Sequence, residues 1–293
     1  MQLLVQQIID GLAAGAVYGA LALALVLIYR ATHIVNFGQG EMATFCTYVA
    51  WQFHEWGAPL WLALSGAAVL AFVLGVAVFR VVVRPVSRAP VETIVVVTLG
   101  LFLVFDALCL WLWGSDQQTF PSVFTQGGWT LAGVRLTANA LGVAVVLCGI
   151  AAVLGALFRF TRLGLAMRAS AADRDKSVLV GIRVENMLMF GWGLAAVVGF
   201  IAAALVAPRL FLSPIMMAPV LIYALASATL GGWDSAVGAV VGGLLIGVVE
   251  SVGATFLTFI GSELRLLIPI AVTLLVLLFR PAGLFGQKMV VRV

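Results

Sequence analysis

Charged side chains are scarce in this sequence of 293 residues. Asp, Glu, Lys and Arg make up 10% of the chain and hydrophobic residues 63%. An ordinary soluble domain has about 25% charged and about 45–50% apolar residues. A water-soluble fold with this composition would expose large apolar patches. The composition therefore excludes an ordinary soluble domain and indicates a protein that is solvated by lipid.

Residues that carry chemistry are also few. The three cysteines, Cys46, Cys109 and Cys148, each lie alone in an apolar run, and the chain has only two histidines. The cysteine spacing fits no metal site and predicts packing residues. The sequence contains no H-E-x-x-H, and no serine has glycine two residues before it, as G-x-S-x-G requires. These absences argue against an intramembrane enzyme.

Lysine is nearly absent as well. The two lysines, Lys176 and Lys288, lie outside any G-x-x-x-x-G-K-[ST] loop. We therefore expect this chain to bind neither ATP through that motif nor a cofactor, so any energy from ATP must come from another chain. The start, MQLLVQQIIDG, has no Lys or Arg, unlike a signal peptide, which predicts that the first apolar segment is retained.

Long apolar runs dominate the rest of the sequence, such as Leu60 to Val83 and Leu266 to Phe279. They do not alternate at a period of two, so they favour helices over a membrane barrel. We predict an all-α, polytopic integral membrane protein with about nine transmembrane helices, between eight and ten, in a single domain over residues 1–293. The seventh and ninth are short, which suggests tilted or partly re-entrant helices. The spans are 7–29, 35–53, 60–82, 91–113, 136–158, 187–207, 217–232, 236–256 and 265–280.

The distribution of Lys and Arg predicts the orientation, because cytoplasmic loops carry an excess of these residues. With the loop between spans five and six in the cytoplasm, that side holds thirteen of the 16 basic residues. The N-terminus is then outside and the C-terminus inside, and the net charge of +4 needs no nucleic-acid partner. The cytoplasmic residues are Arg30, Arg80, Arg84, Arg88, Arg159, Arg162, Arg168, Arg174, Lys176, Arg183, Arg280, Lys288 and Arg292; the others are Arg135, Arg209 and Arg265.

Small residues recur at four-residue spacing in the first and eighth spans. Such rows let helix backbones approach closely in lipid. They predict a crowded helix contact or, alternatively, a face that lines a moving interface or pathway. The rows are Gly11, Gly15 and Gly19; Gly238 and Gly242; and Ala239, Gly243 and Gly247.

Polar residues at membrane depth are the candidate pathway. The segment 33–41 holds Asn36, Gln39 and Glu41 near the cytoplasmic end of the second span, and loosely wound helices with polar groups form sites and gates in transporters. The alternative is an ordinary helix entry with Asn36 as the N-cap. Glu250 lies beside the small-residue face, so it should point at protein, where it contacts a substrate or ties two helices together.

Residues 159–186 form the only long charged segment. Apolar residues recur there at roughly helical spacing, between Gly164 and Gly181. The segment is either a solvated surface helix or a helix that docks into a groove of a cytoplasmic partner. The apolar residues are Leu165, Ala169, Ala172, Leu179 and Ile182.

Six motifs in order resemble the permease subunits of ABC importers for branched-chain amino acids, of the LivH type, over nearly the whole chain. They are GLAAGAVYGALALALVLIY at 11–29, IVNFGQGE at 34–41, RPV at 84–86, GLAMRASAADRDKSVLVGI at 164–182, LGGWDSAVGAVVGGLLIGVVE at 230–250 and RPAGLFG at 280–286. The family has Ala and His in place of Gly38 and Gln39, and a smaller pair in place of Trp233 and Asp234.

This resemblance implies one half of a translocation pathway in the inner membrane of a bacterium. The implied partners are a second, LivM-like permease, two cytoplasmic ATPases that use the ATP, and a periplasmic substrate-binding protein. It implies leucine, isoleucine or valine as the substrate. The alternatives are an ABC permease for urea, an amide or another amino acid, and a secondary carrier that is driven by an ion gradient. The implied contacts with the ATPase are Gly164, Arg168, Ala169, Asp173, Gly181 and Ile182.

Overall fold

The computed structural model describes residues 2–87, 89–124, 127–131, 134–256 and 266–286, and these are mostly helical. The long helices are α1 (Gln2–Thr32), α2 (Gln39–Glu55), α3 (Leu60–Val78), α4 (Val91–Trp113), α5 (Ala138–Phe160), α8 (Val184–Leu210), α9 (Met217–Gly231), α10 (Ala236–Phe256) and α11 (Leu267–Phe279). Two short helices lie between α5 and α8: α6 (Arg162–Ala172) and α7 (Arg174–Leu179). A π-helical turn, Phe79–Val83, extends α3 into Arg84–Val86.

Six of these segments are long and apolar enough to cross a membrane, so the described chain is a multi-pass membrane protein. They are Gln2–Thr32, Leu60–Val86, Val91–Trp113, Ala138–Phe160, Val184–Leu210 and Ala236–Phe256. A helix lies at each of the nine predicted spans, but α2, α9 and α11 are 17, 15 and 13 residues long. A straight crossing takes about 20 residues. The prediction of nine complete crossings is therefore not established.

A small β-hairpin corrects the prediction of an all-α fold. Strand β1 (Gly128–Leu131) pairs antiparallel with β2 (Val134–Thr137), and Trp129 lies opposite Leu136. Gly128 permits the close pairing, because an added Cβ would lie 2.7 Å from the carbonyl oxygen of Leu136. The alternation of polar and apolar residues in only four positions per strand is too short a signal to predict from sequence.

The chain divides into two compact units. The first comprises described residues within 1–26, 124–147 and 220–293. Its core is the contact of α1 with α10 and of α10 with α9. Glycines make both contacts possible, because their lack of a Cβ lets the helix backbones touch. The unit also contains the hairpin and α11, whose Ile268 side chain packs on Gly253 of α10.

The second unit comprises Leu27–Val123 and Cys148–Pro219. Helices α2, α3, α4 and α8 pack together there. The contacts show that α3 runs antiparallel to α8: Gly75 lies against Trp192 and Gly193, whereas Arg84 pairs with Glu185. These relative directions agree with the predicted alternation of spans. Among the basic residues counted for the predicted orientation, Arg88, Lys288 and Arg292 of the cytoplasmic set and Arg265 of the opposite set lie outside the described residues.

Candidate functional site

The end of α1 starts a tight reversal of the chain. His33 has a φ of 57°, in the left-handed region, and its backbone N–H donates to the carbonyl of Tyr29 at 2.6 Å. A left-handed residue after the last helical turn is a common way to end a helix, although glycine usually occupies it. The ring of His33 is exposed and contacts Tyr29 edge-on. His33 thus has a terminating role in the structure.

Helix α2 begins beside the middle of two neighbouring helices, α4 and α8. Gly38, just before it, packs on Leu101, the eleventh residue of α4, and Gln39 contacts Ala195, the twelfth residue of α8. At a rise of 1.5 Å per residue, the start of α2 therefore lies about 15 Å from the N-terminal ends of both helices. The non-helical segment between His33 and Gly38 therefore runs inward and is enclosed by protein, a feature that suits irregular backbone at membrane depth.

A network of amide groups holds this turn. Asn36 donates from Nδ2 to Oε1 of Gln39 at 3.0 Å, and its Oδ1 accepts from the backbone N–H of Gly38 at 3.1 Å. Gln39 in turn donates from Nε2 to the carbonyl of Ala195 at 2.9 Å. Both side chains are buried. The N-cap position belongs to Gly38, so the alternative of Asn36 as the N-cap is wrong; Asn36 instead closes a side-chain turn, as asparagine often does.

Replacing Gln39 with leucine should lower the free energy of unfolding by about 1–3 kcal/mol, because Asn36 Nδ2 would lose an oxygen acceptor inside the protein. The thermal unfolding of the purified protein in detergent measures the change. Gln117→Leu is the control, since the side chain of Gln117 is exposed, whereas that of Gln39 is buried and hydrogen-bonded. An equal loss in both variants would mean that the network does not stabilise the turn.

Glu41 lies in the first turn of α2 and is fully buried. Neither of its carboxyl oxygens has a hydrogen-bond partner among the described residues. Asp106 of α4 is the acidic group whose charge acts on it. Burial and a second carboxyl group nearby both disfavour a negative charge on Glu41. Glu41 of α2 and Asp106 of α4 thus form a pair of neighbouring acidic groups.

Glu250 ties two helices of the first unit together. Its Oε2 accepts a hydrogen bond of 2.7 Å from the hydroxyl of Tyr18, and the ring of Tyr18 stacks on Tyr223 with 4.7 Å between the centroids. Glu250 is 6% exposed. This placement matches the interpretation in which Glu250 joins helices, here α10 to α1.

All the small-residue rows lie in helix contacts of the first unit. Gly11 faces Gly247, Gly15 faces Gly243, and Gly19 faces Val240. The second row of α10 faces α9: Gly238 lies against Gly231, and Gly242 against Ser227. Ala239 is buried in the same helix. Any added Cβ at Gly11 or Gly15 would meet backbone atoms, which cannot move aside as a side chain can.

The segment 159–186 contains two helices and not the single helix that its periodicity suggests. Asp173 divides them, since its backbone is extended between α6 and α7. Its Oδ1 accepts from the backbone N–H of Lys176 at 3.0 Å, and its Oδ2 pairs with Nζ of Lys176 at 2.8 Å. These hydrogen bonds, that of the Lys176 side chain foremost, hold the pKa of Asp173 below its usual range. Asp173 is therefore an anionic N-cap for α7.

Gly181 ends α7 in a Schellman motif. Its φ is +84°, its N–H donates to the carbonyl of Val178 at 3.0 Å, and the N–H of Ile182 donates to that of Ser177 at 3.0 Å. No other atom would obstruct a Cβ at Gly181. Glycine is favoured here by the backbone angle and not by lack of space.

Three of the other proposed coupling residues lie in α6, and the fourth, Ile182, follows Gly181. Gly164 is buried against the backbone of Leu157 and Phe158, with no room for a Cβ. Arg168 is exposed, and Ala169 and Ile182 are half-buried. Three consecutive apolar residues after Ser177 are exposed: Val178 by 60%, Leu179 by 85% and Val180 by 75%. We call Val178, Leu179 and Val180 the apolar triplet; large apolar residues exposed together are typical of contact surfaces.

Three residues of this arrangement were missed by sequence reasoning. Tyr18, which binds Glu250, lies one residue before Gly19 in a long apolar run, where a lone tyrosine is unremarkable. Ala195 contributes only a backbone carbonyl, which no sequence pattern marks. Arg174 contacts the end of α1, whereas the sequence presents it as one of many cytoplasmic arginines.

Known transport permeases are similar to this chain over most of its length. The chain is similar to the high-affinity branched-chain amino acid transport system permease protein BraD of Pseudomonas aeruginosa, with 26% identity over 98% of this chain and 97% of that protein. The permease protein LivH of the same kind of system in Escherichia coli K12 is 25% identical, with the same shares covered. A probable branched-chain amino acid transport permease protein, LivH, of Methanocaldococcus jannaschii is 29% identical over 91% of this chain and 87% of that protein.

A family model covers most of the helical region. It describes the permease component of branched-chain amino acid transport systems and matches residues 7–277. The match includes the buried turn at 33–38 and the whole segment 159–186. It begins in α1 and ends in α11. The chain therefore belongs to the family of branched-chain amino acid transport system permease components, and is a transport subunit and not an enzyme.

Proposed function

We propose that this chain is the membrane-spanning permease subunit of an ABC importer in the bacterial inner membrane, and forms half of the pathway for leucine, isoleucine and valine. Residues 1–293 act as one transmembrane domain. Membership of the permease family is the observation that carries this proposal. The relatives are named for branched-chain amino acid transport, which supports the same substrate here.

The partners follow from the same proposal. A second, LivM-like permease supplies the other half of the pathway, a periplasmic protein delivers the substrate, and two cytoplasmic ATPases bind and hydrolyse ATP. This chain itself binds no cofactor. Its lysines lie outside a phosphate-binding loop, which supports a division of labour between subunits. The chain contacts membrane lipid and no nucleic acid.

The segment 159–186 is the proposed contact with an ATPase. The apolar triplet provides an exposed surface that a groove can bury, and the charges of Arg168 and Lys176 lie on the same segment. A short apolar helix with a charged rim suits docking into a groove. Gly164 and Gly181 set the geometry of its two ends, and Asp173 sets its central break.

The buried turn and its polar residues are the proposed pathway elements. Asn36, Gln39 and Glu41 surround the deep start of α2, and transporters build sites from such interrupted helices. Glu250 of α10, in the first unit, is a separate proposed pathway residue, in addition to its hydrogen bond with Tyr18. Because the binding protein selects the substrate first, the permease needs few specific contacts.

Transport by the reconstituted complex tests the proposal. Proteoliposomes containing this chain, the second permease, both ATPases and the binding protein should accumulate leucine when ATP is supplied inside. Omitting ATP should abolish accumulation. Uptake by this chain alone, driven by an ion gradient, would instead support an ion-coupled carrier. ATP-driven uptake of urea, an amide or another amino acid, with none of leucine, would contradict the substrate assignment alone.

A further inference from the structure

Within the second unit, Arg174 joins the segment 159–186 to the end of α1. Arg174, the first residue of α7, donates from Nη2 to the carbonyl oxygens of Ala31 and Thr32, at 3.3 Å each. Both carbonyls belong to the last turn of α1 and have no partner within that helix. The end of a helix is its negative pole, which a guanidinium stabilises. Arg174 therefore caps α1.

Two other carbonyl groups near this end of α1 are bonded locally. The hydroxyl of Thr32 donates to the carbonyl of Ile28 at 2.8 Å, and the N–H of His33 donates to that of Tyr29. Each of these contacts would move together with α1. Arg174 comes from a distant part of the sequence, so it alone among these contacts relates the position of α7 to the end of α1.

The capped end leads directly to the candidate pathway. The buried turn from His33 to Gly38 follows Thr32 without an intervening element. At its far end, Gln39 is bound to the carbonyl of Ala195 in α8. Helix α8 itself continues from the segment 159–186. The turn is thus held at one end by Arg174 and at the other by α8, the helix that follows the segment 159–186.

The other ion pair of this region is less suited to transmit movement. Arg84 and Glu185 are 2.9 Å apart, but their side chains are 50% and 57% exposed. Water screens such a pair, which usually stabilises little. Arg174 is half-buried, and its acceptors are main-chain carbonyls that hold fixed positions in α1.

We propose that Arg174 is a positioning residue that transmits movement of the segment 159–186 to the buried turn and the start of α2. The inference rests on the proposed function, because the movement originates in an ATPase docked on that segment. When the segment shifts, Arg174 carries the end of α1 with it, and the turn that contains Asn36 changes its position relative to α8. Closing and opening of the pathway are thereby linked to ATP hydrolysis.

The ratio of leucine transported to ATP hydrolysed, measured on the complete complex in proteoliposomes, tests this role. Arg174→Ala should lower the ratio about two- to five-fold, the range set by one cation at a helix end, while ATP hydrolysis continues. Arg174→Lys should restore most of the ratio, since an ammonium still donates to the same carbonyls. A purely structural role would lower thermal stability and leave the ratio unchanged.

Arg80→Ala is the matched control. Arg80 is exposed, lies in the π-helical turn after α3, and carries the same charge on the predicted cytoplasmic side. Its substitution should leave the ratio unchanged. If Arg80→Ala lowered the ratio as much as Arg174→Ala does, the loss would reflect the positive charge of this side of the protein and not a specific role of Arg174. If Arg174→Ala does not assemble, Arg174→Gln removes the charge and shortens the side chain while leaving it polar, and must show the same lower ratio. If Arg174→Ala or Arg174→Gln assembles and shows the wild-type ratio, the inference is overturned. If the wild-type complex itself shows no ATP-driven uptake, the proposed function is contradicted instead.

Discussion

Replacing Gly15 with alanine should destabilise the protein, although alanine is the better helix former. A Cβ at Gly15 would lie 2.6 Å from the carbonyl oxygen of Gly243 and 2.8 Å from Cα of Leu244. Both are main-chain atoms of α10, so α1 and α10 would have to separate. Forced repacking of this kind costs about 1–3 kcal/mol, which exceeds the gain in helix propensity of at most about 1 kcal/mol.

Gly100→Ala provides a control of opposite sign. Gly100 lies within α4, and no atom lies within 4 Å of a Cβ placed there. This substitution should therefore stabilise the protein by up to about 1 kcal/mol. Thermal unfolding in one detergent measures both variants. Stabilisation by both substitutions would show that α1 and α10 do not approach as closely as Gly15 and Gly243 require.

Replacing Gly181 with valine should uncouple ATP hydrolysis from transport. The φ of +84° at Gly181 strains a β-branched residue, and a left-handed residue other than glycine costs about 1–2 kcal/mol. The Schellman motif would open, and the apolar triplet before it would change direction. We expect the leucine transported per ATP to fall about ten-fold, because about 1.4 kcal/mol changes an equilibrium by that factor.

Gly181→Asn separates backbone strain from the presence of a side chain. Asparagine adopts the left-handed conformation more readily than valine does, and space for a side chain is available at this position. Transport per ATP should therefore stay near that of wild type in this variant. Normal insertion of both variants, measured by their yield in membranes, is the further control. A valine variant with unchanged coupling would contradict the docking role of the segment 159–186.

The amide network at α2 shows where pattern reasoning is limited. The residue types Asn36, Gln39 and Glu41 already mark a polar segment in an apolar chain. The sequence pattern also allows the helix to begin at residue 35, as an ordinary span would. The inward course of the turn depends on what surrounds it: Leu101 against Gly38 and the carbonyl of Ala195 at Gln39. Such distant contacts leave no local periodicity in the sequence.

The charged segment shows a different limit. Its apolar spacing predicts helix correctly, and Gly181 marks the helix end through its conformational preference. Asp173 interrupts the helix because its side chain caps the next one. An aspartate within a helical pattern is equally compatible with an uninterrupted solvated helix, so the sequence pattern alone does not predict this break.

The sequence alone determines that this chain is a helical membrane protein, because burying so many apolar residues requires lipid, and lipid requires internally bonded backbones. It also determines the family, through motifs spread over its length. The tertiary structure decides which polar groups meet: Tyr18 with Glu250, Gln39 with Ala195, and Arg174 with the end of α1. The physical reason is that hydrophobic patterning is a local property of the chain, whereas these hydrogen bonds join residues that only folding brings together.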